Sequence, residues 1–97
     1  MSDAAEDQAI VRDLAIINQR GLHARASAKF VQLASAYDVV IEVEKDGTSV
    51  GGTSIMGLMM LAASPGCCIR VTARGPQAED AMRAIEELIA NRFGEEI

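Results

Sequence analysis

The sequence predicts an α+β domain in which three helices cover one face of a four-stranded antiparallel sheet. The first observation is the order of the predicted elements, β-α-β-β-α-β-α. The second is that two predicted strands carry charged side chains on one face, namely Glu42, Glu44, Arg70 and Arg74. A sheet with one polar face is open to water there, which favours antiparallel strands with all helices on the opposite face. The length of 97 residues is enough for one such domain.

The first half of the chain supplies a strand, a helix and a second strand after a polar, acidic tail. We assign residues 1–11 to the tail and residues 12–97 to the domain. Apolar residues predict a strand over 13–18, and their helical spacing predicts a helix over 24–36. Residues 39–45 alternate, with Val39, Ile41 and Val43 predicted to face inward and Val40, Glu42 and Glu44 outward, which predicts a half-buried strand.

The second half begins with a predicted hairpin at Asp46-Gly47, a dipeptide that favours a tight turn between two strands. The remaining elements are a strand over 48–50, a short helix over 55–63, a strand over 67–74 and a final helix over 76–93. Pro76 suits the first position of the last helix, and Glu79 and Arg83 are spaced to pair across one helical turn. We interpret this helix as scaffold.

The composition argues against several classes of protein. The net charge is −5 and aromatic residues make up 3%, whereas nucleic-acid binding requires basic surface and usually aromatic side chains that stack on bases. The adjacent Cys67 and Cys68 form neither a disulfide scaffold nor, by themselves, a zinc site. We expect no membrane span, and the first residues lack the basic start of a signal peptide, so we expect a cytoplasmic protein.

Acidic residues are missing from two stretches of this acidic chain. Residues 14–37 contain no acid and carry a charge of +3, together with His23, the one histidine in the sequence. Residues 47–78 also contain no acid. This distribution suggests a surface kept clear for an anion or an acidic partner, and chance clustering in a short chain is the alternative.

The run Gly21-Leu22-His23-Ala24-Arg25 places the histidine where a loop meets a helix. A helix start offers unpaired N–H groups and the positive end of the helix dipole, and both stabilise a phosphate. Arg25 adds a planar set of donors that suits phosphate oxygens. The same positive groups disfavour a protonated imidazole, so we expect His23 to be a neutral nucleophile, as reversible phosphorylation requires. The simpler alternative is a histidine that only caps the helix.

A second run of interest combines glycines with a short apolar helix. The spacing of Gly52 and Gly57 resembles that of a phosphate-binding loop, but Leu58-Met59 stands where that motif requires lysine followed by serine or threonine. We therefore exclude a nucleotide-binding loop. Ser54 lies at the start of the helix and is placed to cap it.

The apolar residues of this short helix outnumber those that one buried face can hold. Ile55, Met56 and Met59 cannot all point in the same direction as Leu58. We predict that these three form an exposed docking patch, since methionine adapts to several partners. For Met60 we favour burial beneath a neighbouring helix.

The run at His23, together with Ser54-Ile55-Met56-Gly57-Leu58-Met59, resembles the histidine-containing phosphocarrier (HPr) family of bacterial phosphotransferase systems. The resemblance covers about residues 13–93. The runs Gly75-Pro76-Gln77 and Asn91-Arg92-Phe93-Gly94 further resemble the nitrogen-related branch, NPr. The resemblance implies an open-faced β-sandwich that carries a phosphoryl group without a cofactor or metal, and that is not an enzyme with turnover of its own.

The resemblance also implies roles for individual residues. His23 would accept a phosphoryl group on Nδ1 from enzyme I, which phosphoenolpyruvate charges, and pass it to a histidine of an enzyme IIA domain. Arg25 matches an arginine that contacts the phosphate, and Ser54 matches a serine that HPr kinase/phosphorylase modifies in some bacteria. We expect a monomer that docks its partners through six residues: Arg20, Leu22, Lys29, Ile55, Met56 and Met59. Ala26 replaces the family's usual proline, with little expected effect because alanine favours helices.

Two other classes of function stay open at this stage. A small-ligand regulatory domain of similar topology would bind a metabolite without covalent change. A hydrolytic enzyme would turn over alone, although one histidine and no G-x-S-x-G motif give it little support. Within the HPr family, the sequence does not separate sugar transport from nitrogen-related regulation.

Overall fold

The structure, a computed structural model, describes residues 9–95 and contains four strands and three helices in that range. In chain order they are β1 (Ile10–Ala15), α1 (Ala24–Ser35), β2 (Val40–Lys45), β3 (Thr48–Gly51), α2 (Ile55–Met60), β4 (Cys68–Arg74) and α3 (Ala78–Ala90), followed by a 3₁₀ turn over Arg92–Gly94. This order confirms the predicted α+β architecture. No helix within residues 9–95 is long and apolar enough to cross a membrane.

The four strands form one antiparallel sheet in the order β1-β4-β2-β3. On the open face, Arg70 of β4 lies opposite Asp13 of β1 and Glu44 of β2. The Nε atom of Arg70 donates a hydrogen bond of 2.9 Å to Asp13 Oδ1, and both side chains are more than half exposed. This row of charges shows that water covers this face of the sheet, as the sequence predicted.

The other face of the sheet packs against the helices. In β2, Ile41 and Val43 are 5% and 0% exposed, whereas Val40 is 70% exposed, so the predicted alternation is confirmed. Burying a side chain of this size stabilises the fold by roughly 1.5–3 kcal/mol relative to leaving it exposed. The largest fully buried apolar side chains are Phe30, Phe93, Ile16, Leu58, Ile69, Ile85, Val43 and Val71.

The hairpin between β2 and β3 turns at Asp46-Gly47, as predicted. Their φ angles are 52° and 85°, so both residues adopt the left-handed backbone that a two-residue turn requires. The register then pairs Lys45 with Thr48 directly across the turn. Glycine adopts this conformation without a Cβ clash and aspartate tolerates it, which is why this dipeptide predicts the turn well.

The first strand begins earlier than the sequence predicted. Ile10 and Val11, which we had assigned to the tail, lie opposite Ala73 and Thr72 of β4. The strand also ends at Ala15, not at residue 18. The charged side chains of residues 12 and 13 hid the start of the strand, because they point to solvent from an edge strand. The domain therefore includes residues 10 and 11. Residues 1–8 of the predicted tail lie outside the described residues.

The last two helices are shorter than predicted. α2 ends at Met60, and the chain turns through Ala62 at a φ of 54°. α3 starts at Ala78, so Pro76 precedes the helix instead of opening it. Gln77 is the residue before the helix, and its Oε1 accepts a hydrogen bond of 2.6 Å from the Asp38 N–H, which ties the start of α3 to the β2 side of the sheet.

The predicted ion pair on the last helix is also different in the structure. Arg83 contacts Asp80 at 3.3 Å, three residues before it, and Glu79 is not its partner. Both spacings bring side chains together on one helix face, so the sequence alone offers two acceptors for one arginine. The pair is exposed and contributes little to stability.

Candidate functional site

His23 occupies the residue before the first turn of α1. Its backbone is extended, with φ −75° and ψ −178°, and its side chain makes no capping hydrogen bond to the helix. The first N–H of the helix that has a partner is that of Ser27, which donates to the His23 carbonyl at 2.8 Å. The N–H groups of residues 24–26 therefore donate to nothing in the described part of the chain, and they point out of the helix start.

Two arginines surround this helix start, and both are exposed. Arg25 lies in the first turn of α1, and Arg20 lies in the loop before it. Neither side chain forms an ion pair within residues 9–95, and the first turn of α1 contains no acidic residue. Free N–H groups, the helix dipole and two uncommitted guanidinium groups make this end of the helix strongly attractive to an anion.

The imidazole of His23 is turned away from the helix and contacts Glu95. His23 Nε2 lies 2.9 Å from Glu95 Oε2, and the two side chains are 22% and 10% exposed. A carboxylate only accepts hydrogen bonds, so Nε2 carries the proton in this contact. In the neutral imidazole the other nitrogen, Nδ1, then keeps a free lone pair.

Glu95 is fixed by more than the histidine. Asn18, which is fully buried, donates from Nδ2 to Glu95 Oε2 at 2.8 Å and to the Gly21 carbonyl at 2.9 Å. The Arg20 N–H lies 3.4 Å from Glu95 Oε1. Burial alone would raise the pKa of Glu95, but the hydrogen bonds from Asn18, His23 and the Arg20 N–H hold this pKa below its ordinary value. Glu95 is therefore ionised at neutral pH.

The sequence analysis missed both Asn18 and Glu95. Asn18 fell inside the predicted first strand, and Glu95 followed a helix that we had interpreted as scaffold. The contact between Glu95 and His23 spans 72 residues, so no local pattern predicts it. The available signal was an acidic residue directly after Gly94. The glycine marks a chain reversal, but it does not indicate which side chain the acidic residue contacts.

The loop that carries His23 is tied to the segment that follows α2. The Leu22 N–H donates to the Ala63 carbonyl at 2.9 Å. Gly21 has a φ of 64°, and a Cβ at this position would collide with the same Ala63 carbonyl. Only glycine fits here, and the close approach holds the end of α2 beside the histidine loop.

α2 presents an exposed apolar surface. Ile55, Met56, Met59 and Met60 line one shallow groove and are 41%, 72%, 43% and 75% exposed. The predicted exposure of the first three is confirmed. The predicted burial of Met60 is wrong, because Leu58 is the buried residue of α2 and a side chain two residues further along a helix points away from that buried side.

Ser54 caps α2, as predicted. Its side-chain oxygen accepts a hydrogen bond of 2.9 Å from the Gly57 N–H, and the residue itself is exposed. A Cβ at Gly57 would lie 3.0 Å from this oxygen, so the glycine lets the cap close on the helix backbone.

Two of the predicted docking residues are placed differently from the others. Leu22 is 4% exposed and belongs to the core, so its side chain is not available to a partner and the prediction for it is wrong. Lys29 is half-buried, and its ammonium donates to the Phe93 carbonyl at 2.7 Å. The sequence pattern failed for Leu22 because the loop folds this side chain into the core.

The described residues offer no ready metal site. No cluster of three or more histidine, cysteine or acidic side chains is present within residues 9–95. Cys67 and Cys68 are both free; Cys67 is half-buried and Cys68 is exposed. Hydrogen bonds with Ser64 lower the pKa of the Cys67 thiol, which lies 3.5 Å from the serine oxygen.

Comparisons with known proteins agree with this geometry. A family described as PTS HPr component phosphorylation site matches residues 10–91. The chain is 50% identical to the phosphocarrier protein HPr of Cupriavidus necator over 84 residues, which cover 87% of this chain and 94% of that protein. It is 46% identical to the phosphocarrier protein HPr of Pseudomonas aeruginosa, with coverage of 86% and 93%. The crystal structure of HPr-C-His from Thermoanaerobacter tengcongensis superposes with a TM-score of 0.86 at 43% identity, covering 91% of this chain and 99% of that one.

Proposed function

Because the chain belongs to the HPr family of phosphocarriers of bacterial phosphotransferase systems, we propose that His23 carries the phosphoryl group, on its Nδ1 atom. The observation that carries this proposal is an imidazole at an uncapped helix start, with its Nε2 already engaged by Glu95 at 2.9 Å. This contact leaves Nδ1 as the free nucleophile.

The transfer is a single displacement at phosphorus. The Nδ1 lone pair forms the new P–N bond, and the electrons of the bond to the donor leave with the donor. The proton on Nε2 stays shared with Glu95, whose negative charge stabilises the positive charge that develops on the ring. Transfer to the acceptor runs through the same steps in reverse, so the chain returns to its starting state.

The three phosphoryl oxygens require positive partners while the group is transferred. The N–H groups of residues 24–26 have no hydrogen-bond partner in the described part of the chain, and the exposed Arg25 guanidinium forms no ion pair there. Phosphoryl transfer depends mainly on positioning and on charge stabilisation, and these donors supply both without a metal. Arg25 is therefore assigned to phosphate stabilisation.

The donor is enzyme I and the acceptor is a histidine of an enzyme IIA domain, both reached in turn through the surface beside His23. The groove of Ile55, Met56, Met59 and Met60 supplies apolar contact, and Arg20 supplies charge at its rim. A small apolar surface with a basic rim suits complexes that form and separate quickly. We propose that the chain acts as a monomer in the cytoplasm.

Intact mass spectrometry tests the carrier function. The chain is incubated with enzyme I and phosphoenolpyruvate, and His23→Ala is treated in parallel. One acid-labile phosphoryl adduct on the wild type and none on the variant is the expected result. An adduct that persists in His23→Ala would assign the site to another residue, and an unmodified wild type beside a charged donor would reject the function.

The acceptor test separates the two branches of the family. The phosphorylated chain is mixed with an enzyme IIA of the sugar-transport branch or with one of the nitrogen-related branch, and loss of the adduct is timed. The branch whose enzyme IIA discharges the chain faster is the physiological one. Discharge by neither enzyme IIA would contradict the acceptor assignment.

Ser54 is the proposed site of regulatory phosphorylation by HPr kinase/phosphorylase. The serine is exposed and lies next to the groove, so a phosphate there would place two negative charges beside an apolar docking surface. Ser54→Asp is expected to weaken binding of enzyme I by roughly tenfold, because the added carboxylate must lose its water or face a like charge when the partner binds. Unchanged affinity in a calorimetric titration would count against this assignment.

A further inference from the structure

The segment that follows α3 has an unusual backbone. Arg92 and Phe93 have φ angles of 56° and 53°, a left-handed conformation that bulky side chains adopt only where the surrounding structure imposes it. Two contacts impose it at Phe93. The aromatic side chain is 2% exposed within the core, and the carbonyl accepts a hydrogen bond of 2.7 Å from Lys29.

The Lys29 ammonium lies directly beneath this segment. A Cβ at Gly94 would lie only 2.9 Å from Lys29 Nζ, and Gly94 itself has a φ of 78°. The chain therefore passes so close to the lysine that a side chain at this position would displace it. The Phe93 carbonyl, held by Lys29, is two residues before the carboxylate that contacts His23.

Lys29 and His23 are thus linked through the end of the domain. Lys29 is in the second turn of α1, and His23 precedes the first turn of the same helix. The link runs from the ammonium to the Phe93 carbonyl, along the backbone to Glu95, and from Oε2 to His23 Nε2. Lys29 lies in α1 and His23 lies directly before it, so the segment over residues 93–95 is held at two points by one part of the chain. We call these two contacts the clasp.

We propose that Lys29 is a positioning residue for phosphoryl transfer: its bond to the Phe93 carbonyl holds the turn that keeps Glu95 on His23 Nε2 and so presents Nδ1. This inference rests on the proposed function of His23 and extends it to a residue that touches neither the imidazole nor the phosphoryl group. It also gives Lys29 a role different from the docking role that the sequence suggested.

Four variants separate the clasp from the charge of the lysine. Lys29→Met keeps the length of the side chain but removes the donor and the charge, whereas Lys29→Arg keeps both. Lys45→Met is the matched control, because Lys45 is the only other lysine and its ammonium pairs with Asp46 at the hairpin. Gly94→Ala keeps the lysine and disturbs the same contact from the other side.

The first readout is the imidazole of the isolated chain, observed by nitrogen-15 NMR at a pH where the ring is neutral. In the wild type, Lys29→Arg and Lys45→Met, the Nε2–H tautomer is expected to dominate and its proton to exchange slowly with water. In Lys29→Met and Gly94→Ala, that proton is expected to exchange roughly fivefold faster, the factor that loss of one net hydrogen bond gives. The tautomer populations shift toward those of an unconstrained histidine.

The second readout is the kinetics of phosphoryl transfer from charged enzyme I. A positioning role lowers kcat by roughly fivefold and leaves KM for the donor unchanged, whereas a docking role raises KM and leaves kcat unchanged. If Lys29 acts through Glu95, adding Lys29→Met to Glu95→Ala is expected to cause no further loss, because each change breaks the same chain of contacts.

Three results would overturn the positioning role: unchanged imidazole signals in Lys29→Met, a change in KM alone, or full additivity with Glu95→Ala. None of these results bears on the proposed function, which is tested separately by the phosphoryl adduct on His23. Should Lys29→Met not fold, Lys29→Gln takes its place, because its shorter side chain loses the hydrogen bond to the Phe93 carbonyl. Altered imidazole signals in Lys29→Gln beside wild-type signals in Lys29→Arg support the clasp, and wild-type signals in both reject it.

Discussion

α1 and α2 both begin on an extended residue, yet their first turns are completed in different ways. At the start of α2, the Ser54 side chain accepts a hydrogen bond of 2.9 Å from the Gly57 N–H. At the start of α1, the His23 side chain turns to Glu95, and the N–H groups of residues 24–26 have no partner in the described part of the chain. We call the start of α2 closed, because a side chain caps it, and the start of α1 open, because its N–H groups are unpaired within residues 9–95.

The difference means that one helix start of this small domain is stabilised by a cap, whereas the other is left available to bind something else. A capping side chain stabilises a helix start by about 1 kcal/mol, so α1 forgoes that contribution where α2 keeps it. Open N–H groups are useful only if something else binds them, and an anion does so best. If His23 carries the phosphoryl group as proposed, the uncapped start is the place where the domain gives up stability for chemistry, which is common at functional sites.

The largest effect is expected when the open start is closed. His23→Ser introduces a strong capping residue, and it also removes the imidazole. Compared with His23→Ala, it is expected to raise the free energy of unfolding by about 1 kcal/mol, because both variants lose Glu95 as a partner and only serine caps the helix. Both variants are expected to carry no phosphoryl group.

Urea denaturation of the two variants, with wild type alongside, measures this difference, and intact mass after exposure to charged enzyme I measures carriage. Equal stability of His23→Ser and His23→Ala would show that the N–H groups at the start of α1 gain nothing from a cap. In that case the contrast with α2 would not reflect unmet hydrogen bonding.

The next effect concerns the arginine beside the open start. Arg25→Ala is expected to slow phosphoryl transfer by roughly tenfold to hundredfold, since it removes a donor from the transferring group. Folding is expected to change little, because Arg25 is exposed and forms no ion pair within residues 9–95. The rate of phosphoryl transfer is measured for Arg25→Ala and for Arg83→Ala. The second variant removes an exposed arginine of α3 and controls for the loss of a positive charge. Normal turnover of Arg25→Ala would reject its phosphate role.

A smaller effect is expected at the closed start. Ser54→Ala removes the cap of α2 and is expected to lower the free energy of unfolding by about 1 kcal/mol, whereas Ser54→Thr, which keeps the hydroxyl, is expected to lower it by less. Chemical denaturation of both variants provides the measurement. If Ser54→Ala were as stable as the wild type, the hydrogen bond to Gly57 would not be what closes this helix start.

Most of the fold could be predicted from sequence because its signals are local. The alternation in β2, the Asp46-Gly47 turn and the helical spacing in α1 each fix one element, and the polar face of the sheet then fixes the side on which the helices lie. Element ends were predicted less well. Residues 10–12 join β1 through pairing with β4, which the local sequence does not reveal.

The candidate site could be predicted only in its local part. The placement of His23 and Arg25 at a helix start, and of Ser54 as a cap, follows from neighbouring residues, and the structure confirms it. The contact of His23 with Glu95 could not be predicted, since it depends on how α3 and the turn after it return to the loop. The exposure of Met60 depends in the same way on what packs beside α2.

The smallest expected effect is a change in how stability depends on pH. The pKa of Glu95 lies below its ordinary value of 4.5, because the hydrogen bonds it accepts outweigh the effect of burial. The native carboxylate therefore binds a proton less readily than the unfolded one. Its contribution to stability is complete above pH 4.5 and is lost as the pH falls through the lower, native pKa.

Glu95→Gln cannot titrate, so its free energy of unfolding is expected to fall below that of the wild type at neutral pH by a few tenths of a kcal/mol to about 1 kcal/mol. The two curves are expected to converge as the pH falls below 4.5. Urea denaturation at a series of pH values measures both. A gap that stays constant as the pH falls through this range would mean that ionisation of Glu95 adds nothing to its contacts with Asn18, His23 and the Arg20 N–H.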